Sequence, residues 1–511
     1  MADTIERRST THDADVPETK AGVIDGSVDE GYDLFEESQQ LAFTEEAGEQ
    51  VRRKLDLHLL PLMCLLYGLN YVDKVAMGWA VLFHFREDLG LHGTQYSWAS
   101  SMFYFGYLGA QYPANYILQR YRTAKIVSVS VVVWGVLMLA HLGLKSFAGL
   151  MVIRFLLGVA ESVVTPGFVM YTSMFYTRRE QVMRTMVWGA MQGTFTIVSS
   201  LMSYGLGHIT NTALRPWMYI FLVLGLLSVI VGVLWFFLMP ETPNKATFLT
   251  HEERAIAVQR VASNMMGVKG YQWKYYQMWH AIKDPKTWLV LAFVLFTMLP
   301  NGGLTSFGSL VISGFGFDPF RTLLIGLPSS VVSSGSMIVW GCLSLKYGNL
   351  RTLGMIIPLL PAIAGIAAVY GTMNTGANMY GRVVAYWLIN SYAVTWPFVL
   401  TIVGQNVAGH TKRAFTNTLL FVIFSAGNIA GPFLFRSQDA PKYVLAITTI
   451  LVFFCLALIS AVLLRIYMMV ENRRRDSRYG RVEGLDEKLE GMRLGMHDKT
   501  DLENVDFRYV L

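Results

Sequence analysis

Apolar stretches of membrane-crossing length, separated by short polar or basic turns, succeed one another from about residue 59 to residue 468. A helix needs about 20 apolar residues to cross a hydrocarbon core about 30 Å thick. The pattern predicts twelve such helices. Spans 1 to 6 fall near 59–81, 97–119, 126–144, 147–175, 185–208 and 217–239. Spans 7 to 12 fall near 287–312, 322–345, 353–371, 379–403, 414–435 and 443–468. One long polar stretch, residues 240–286, divides the two sets. Within it, TFLTHEERAIAVQRV reads as a helix, with Thr250 and Glu253 in capping-box spacing. The predicted organisation is an acidic, disordered tail (1–50), a six-helix bundle (51–239), a linker (240–286), a second six-helix bundle (287–470) and a charged, solvated tail (471–511). The fold class expected is an all-α membrane protein.

Composition agrees with the pattern. Hydrophobic residues make up 53% of the 511 positions and charged residues only 15%, with a mean hydropathy of +0.39. A soluble chain carries nearer 25% charge. The formal charge of +6 divides unevenly, because residues 1–50 hold 14 acidic and 3 basic side chains. The basic excess therefore lies beside the spans and reads as topology rather than nucleic-acid binding. Arg120, Arg122 and Lys125 follow span 2, and Arg178, Arg179 and Arg184 follow span 4. Lys346 and Arg351 follow span 8, and Lys412 and Arg413 follow span 10. Loops on the other side carry about one basic residue each, so both termini and the linker are expected in the cytoplasm. The polar N-terminus lacks a cleavable signal, leaving span 1 as the insertion signal. Cys64, Cys342 and Cys455 all lie in apolar runs, with no metal-ligand spacing. The HEER segment at 251–254 lacks the second histidine of a zinc site, and no phosphate-binding glycine loop occurs. No enzyme activity, metal or cofactor is indicated.

Charge inside the spans carries the chemistry. RFLLGVAESVVTPG in span 4 holds Arg154 and Glu161, and NYVDKVAMGWA in span 1 holds Asp73 and Lys74. Ionised groups at that depth cost roughly 2.5–3.5 kcal/mol each and face partners or a water-filled path. Arg154 and Glu161, seven residues apart, return to nearly the same helical face. Asp73 and Arg154 are expected at a similar depth, close enough to meet, with Glu161 about 10 Å deeper. Lys74 and Glu161 are then left over. A static salt bridge between spans 1 and 4 is the alternative to a functional cluster. In the functional reading two carboxylates balance two cations, and protonating either acid leaves positive charge for an anionic substrate to neutralise. Arginine adds a planar fork suited to a carboxylate.

Single amides, Gln192 in span 5 and Asn428 in span 11, suit either substrate contact or interhelical bonding. Tyr104, Tyr107 and Trp396 suit either a substrate path or packing, and Pro397 should kink span 10 beside Trp396. His141 reads as interfacial. Small residues should mark close approaches between the halves or serve the ordinary packing of membrane helices, about evenly: Gly106 and Gly109, Gly189 and Gly193, Ser333, Gly335 and Gly341, Gly427 and Gly431.

Two bundles of equal orientation form the parallel repeat of a secondary transporter of the major facilitator type. NYVDKVAMGWA, RFLLGVAESVVTPG, LTHEERAIAVQRV, DPKTWLV, NGGLTSFGSLVISGFGF, AGHTKRAFTNTLLF and AGNIAGPFLF together resemble the fungal allantoate-permease branch of the anion:cation symporter family, across about residues 55–470. The resemblance implies proton coupling through Asp73 and Glu161, anion handling by Arg154 and Lys74, and substrate contact by Gln192 and Asn428. Tyr104 and Trp396 complete the candidate substrate path. Gln119 and Leu345 depart from the superfamily's loop motif, which has aspartate near those places. The expected function is proton-coupled uptake, by a monomer in a fungal plasma membrane, of a small carboxylate-bearing nutrient such as allantoate, ureidosuccinate, a small peptide or a vitamin. A secondary-metabolite exporter, a non-transporting nutrient sensor and an internal membrane such as the vacuole are the alternatives. Small molecule, proton and membrane lipid are the partners expected.

Overall fold

In the computed structural model, residues 45–209, 213–265, 274–347, 350–372, 379–480, 499–504 and 506–511 are described. The predicted disordered tail lies outside them except at its end, where Glu45 already begins the helix of span 1 (Glu45–Ala80). The first half continues with span 2 (Gln95–Arg120), span 3 (Thr123–Ala140), span 4 (Phe147–Glu161 and Val164–Phe175), span 5 (Arg178–Gly207) and span 6 (Pro216–Leu238). The second contains span 7 (Pro285–Ser313), span 8 (Pro319–Lys346), span 9 (Arg351–Ile356 and Leu359–Thr372), span 10 (Met379–Ile389 to Thr395–Asn406), span 11 (His410–Ala430) and span 12 (Val444–Tyr479). Ten of these twelve are long and apolar enough to be membrane spans on those grounds alone. Spans 2 and 5 are long enough but more polar, because they line the seam between the halves rather than lipid alone. Span 2 packs on span 11 and span 5 on span 8.

Prolines decide where the spans break. Pro166 cannot donate to the carbonyl of Ser162, and span 4 is interrupted between Glu161 and Val164. The break directly follows the acid of interest. Span 10 tightens into a 3₁₀ segment, Asn390–Val394, just before the predicted kink at Pro397. The linker helix His251–Met265 starts as predicted: Thr250 N–H donates to Glu253 Oε2 at 3.0 Å, and Glu253 N–H returns to Thr250 Oγ1 at 3.3 Å.

The small residues divide between two tasks. At Gly193 of span 5 a Cβ would collide with Ser334 and the carbonyl of Ser330 in span 8, so this glycine does let the halves meet. Gly106 of span 2 and Gly158 of span 4 instead allow these two helices to touch backbone to backbone within the first half. Gly427 and Gly431 likewise press span 11 onto span 7 of its own half. Gly109 and Gly335 meet nothing within 4 Å, so both readings, approach between the halves and ordinary helix packing, apply to different members of the set.

A second correction concerns the C-terminus. Residues 499–511 do not form a solvated tail: Thr500 and Asp501 are fully buried and Tyr509 nearly so. The segment folds back on the ends of spans 7, 9, 11 and 12, on the side that holds the linker. Asn406 and Asn472 side chains each bond both ways to its backbone, at Val510 and Tyr509, at 2.7–2.8 Å. Burial pushes the Asp501 carboxyl up, but Lys286 and Lys412 beside it outweigh this and hold it down at about 2.

Candidate functional site

Spans 1 and 4 meet in the middle of the first half and bring four charges together. Asp73, Arg154 and Glu161 are each no more than 2% exposed. The pairing differs from the one expected. Lys74 Nζ, not Arg154, makes the ion pair, reaching Glu161 Oε2 at 2.5 Å. Asn70, one helical turn before Lys74, donates its amide to the same oxygen at 2.6 Å. The lysine also donates to Asn70 O and Oδ1, both at 2.8 Å, so its three hydrogens are all engaged.

Arg154 has no hydrogen-bond or ion-pair partner among the described residues, and its Nε is enclosed without an acceptor. Asp73, Tyr96, Glu161 and Tyr104 supply the field around it. Asp73 acts on Arg154 electrostatically, but the two close no salt bridge. The Asp73 carboxyl approaches Glu161. Two ionised carboxylates are acceptors only, however, and neither oxygen of Asp73 nor Oε1 of Glu161 has a donor. His141, expected at the interface, is instead fully buried, its ring stacked on Phe221 with centroids 4.4 Å apart. Leu150, Leu157 and Phe168 fill the core side of span 4 around these polar groups.

The facing half contributes neutral polar groups. Asn428 is fully buried; its amide donates to Phe424 O and its oxygen accepts from Asn301 Nδ2, both at 2.8 Å. Asn301 Oδ1 in turn accepts from Tyr392 Oη at 2.9 Å. Tyr71, next to Asn70, faces Thr305 across the seam. Gln192 donates to Tyr67 Oη at 3.3 Å within the first half. The aromatic candidates converge on one ring: Phe424 lies 4.8 Å from Trp396 and 6.3 Å from both Tyr104 and Tyr107, centroid to centroid. Sequence reasoning assigned no role to Asn70, Asn301 or Tyr392. Asn70 shares a helix face with Lys74 and Asn301 is an amide in mid-span, so both were findable; nothing in the sequence marks Tyr392.

Hydrogen bonds between the halves include Ser334 to Ala190 O at 2.8 Å near mid-span, and four more lie toward the side away from the linker. Tyr96 donates to Ser306 O at 2.8 Å, Ser97 to Pro432 O at 3.1 Å, Ser101 to Ile429 O at 2.7 Å and Ser200 to Leu323 O at 3.0 Å. On the linker side, Lys54–Glu253, Arg184–Asp56 and Arg260–Glu180 tie the first half to itself and to the linker.

Residues 63–432 match the family model of the Major Facilitator Superfamily. The chain belongs to that family. It is 34% identical over 508 residues to the allantoate permease of Saccharomyces cerevisiae, covering 97% of this chain and 92% of that one. It is 29% identical to the thiamine pathway transporter THI73 of the same yeast, over 91% of this chain and 87% of the other. An uncharacterized transporter of Schizosaccharomyces pombe, C757.13, is 33% identical over 91% of this chain and 88% of its own. Among solved structures, the proton:xylose symporter XylE bound to 6-bromo-6-deoxy-D-glucose superposes with a TM-score of 0.62 at 13% identity, covering 80% of this chain and 95% of that one. At that identity the likeness concerns the fold. This major facilitator chain is thus a multi-pass membrane transporter with fungal relatives of the allantoate-permease kind, and the relatives and fold are of a transporter class rather than an enzyme class.

Proposed function

We propose that this transporter takes up a small carboxylate-bearing solute by proton symport, working as a monomer in the plasma membrane with its linker and both termini in the cytoplasm. Arg154 carries the reading: a buried guanidinium without a partner among the described residues, beside an Asp73 carboxyl with no donor and a Glu161 carboxyl with one oxygen left without one. Leaving such a cation unpaired is expensive unless a mobile anion completes the site. A substrate carboxylate would supply the bidentate acceptor. A proton shared by Asp73 and Glu161 would supply the missing donor between them.

The other residues follow from this. Lys74 holds Glu161 and sets its charge. Gln192, Asn428, Tyr104 and Trp396 line the rest of the substrate path, with Asn301 and Tyr392 orienting Asn428. The basic-residue asymmetry supports the orientation. With the linker side inward, the four bonds toward the far end would close the outer gate, and the state is inward-facing. The two six-helix bundles, 51–239 and 287–470, would then rock about the site.

Glu161→Gln tests the coupling, because glutamine keeps the shape of the protonated acid and cannot release a proton. In proteoliposomes this variant should exchange labelled for unlabelled substrate and fail to accumulate it under an imposed pH gradient. Accumulation at the wild-type level would remove Glu161 from coupling.

A further inference from the structure

The short helix Tyr275–Lys283, between the linker helix and span 7, has two unlike faces. At 100° per residue, Tyr275, Trp279 and Ile282 share one side, with Tyr276 at its edge. They are 78%, 56%, 36% and 46% exposed, respectively. The opposite side holds Gln277 and Ala281, both buried. Gln277 Oε1 accepts from the backbone N–H groups of Thr411 at 3.0 Å and Lys412 at 3.2 Å, where span 11 begins. One face is therefore fixed to the linker-side end of a membrane span, and the other presents three large aromatic rings outward.

The aromatic face continues into the lipid-facing surface of span 7. Trp288, in the first turn of that span, is 55% exposed and donates its indole N–H to Ile282 O at 2.7 Å. Lys283 is exposed at the end of the helix, its Nζ 5.4 Å from the Trp279 ring centre. Rings with a polar edge, next to a cation and level with the end of a span, match the boundary between headgroups and acyl chains. There Trp and Tyr concentrate, and amphipathic helices lie flat.

We propose that Tyr275–Lys283 is an interfacial anchor whose outer face is embedded in the phospholipid boundary on the linker side, with Lys283 at the level of the phosphates. Its anchoring through Gln277 would hold the start of span 11 at a set depth while the halves move. The proposal rests on the membrane fold and not on the substrate or the coupling ion.

Spin labels test it in the full chain, with Cys64, Cys342 and Cys455 replaced by serine and the protein in nanodiscs. Labels on Trp279→Cys and Ile282→Cys should favour collisions with oxygen over a water-soluble nickel complex severalfold more than a label on Glu252→Cys, on the exposed start of the linker helix. They should approach a label on Ile230→Cys, on the exposed face of span 6. Labels as open to nickel as the one at 252 would overturn the proposal. So would labels shielded from both reagents, the result for a face covered by a protein partner or a second copy. Trp279→Phe supplies a conservative check: with lipids brominated near the top of the acyl chain, it should lose part of the quenchable fluorescence of the wild type. An unchanged quenchable fraction would count against lipid contact.

Discussion

Two clusters in this chain each set two carboxylates against two cations, in different states of bonding. Midway through the first half, Asp73 and Glu161 face Lys74 and Arg154. At the linker-side end of the second half, Asp284 and Asp501 face Lys286 and Lys412. In the second cluster every charge is paired: Lys286 reaches Asp501 at 2.8 Å, and Lys412 reaches Asp284 at 2.8 Å and Asp501 at 2.9 Å. Tyr509 adds a hydroxyl to Asp501 at 3.0 Å and its ring to Lys286 at 4.2 Å. In the first, Lys74 pairs with Glu161, while Arg154 and Asp73 are left without partners among the described residues. A cluster whose hydrogen-bonding capacity is used up holds a fold together. One with capacity left over has room for a ligand, and leaving it so costs stability.

Breaking the sealed cluster should have the largest effect. Asp501→Asn leaves two buried lysines with one carboxylate, and removing one partner of a buried pair costs roughly 3–5 kcal/mol. The thermal midpoint in detergent should fall well below wild type, and adding Lys412→Met, which restores neutrality, should recover part of it. A midpoint equal to wild type for Asp501→Asn would mean that the C-terminal segment is not held by charge.

The open cluster should respond in binding rather than in stability. Arg154→Lys keeps the charge and loses the fork; forfeiting a charge-assisted hydrogen bond of about 1.5–3 kcal/mol weakens anion binding by up to about a hundredfold. Titration of the purified variant should show that loss with an unchanged midpoint. Wild-type affinity would make Arg154 a structural cation.

Acid should separate the two clusters by a smaller amount. The folded-state value of Asp501 is depressed from 3.8 to about 2, so its contribution is whole above about pH 4 and is lost as the pH falls through about 2. The shift corresponds to roughly 2 kcal/mol. Melting curves should decline across that window in the wild type and less so in Asp501→Asn. Identical acid profiles would show that other carboxylates carry the loss.

Much of this architecture was readable because lipid punishes an unsatisfied backbone, leaving an apolar stretch of about 20 residues little choice but a helix. Span number, the capping box at Thr250 and the 3₁₀ interruption before Pro397 all rest on local rules. The pairing inside the site was not local. Sequence put Asp73 beside Arg154 by depth alone, but depth ignores rotation about the helix axis. The close approach of spans 2 and 4 at Gly106 and Gly158, and the break before Pro166, help set which faces of spans 1 and 4 meet.

Lys412 marks the boundary between what sequence and structure each determine. As a basic residue in a short loop it belongs to the positive side of the membrane, and that inference needs only the chain and the rule for inserting charge. Its burial against Asp284 and Asp501 depends on a segment 89 residues further along folding back. By itself the sequence determined the helices, their number and the family, because apolar periodicity and turn chemistry act over one or two turns. Tertiary structure decided which charges are sealed and which stand open, because that depends on distances between residues far apart in the chain.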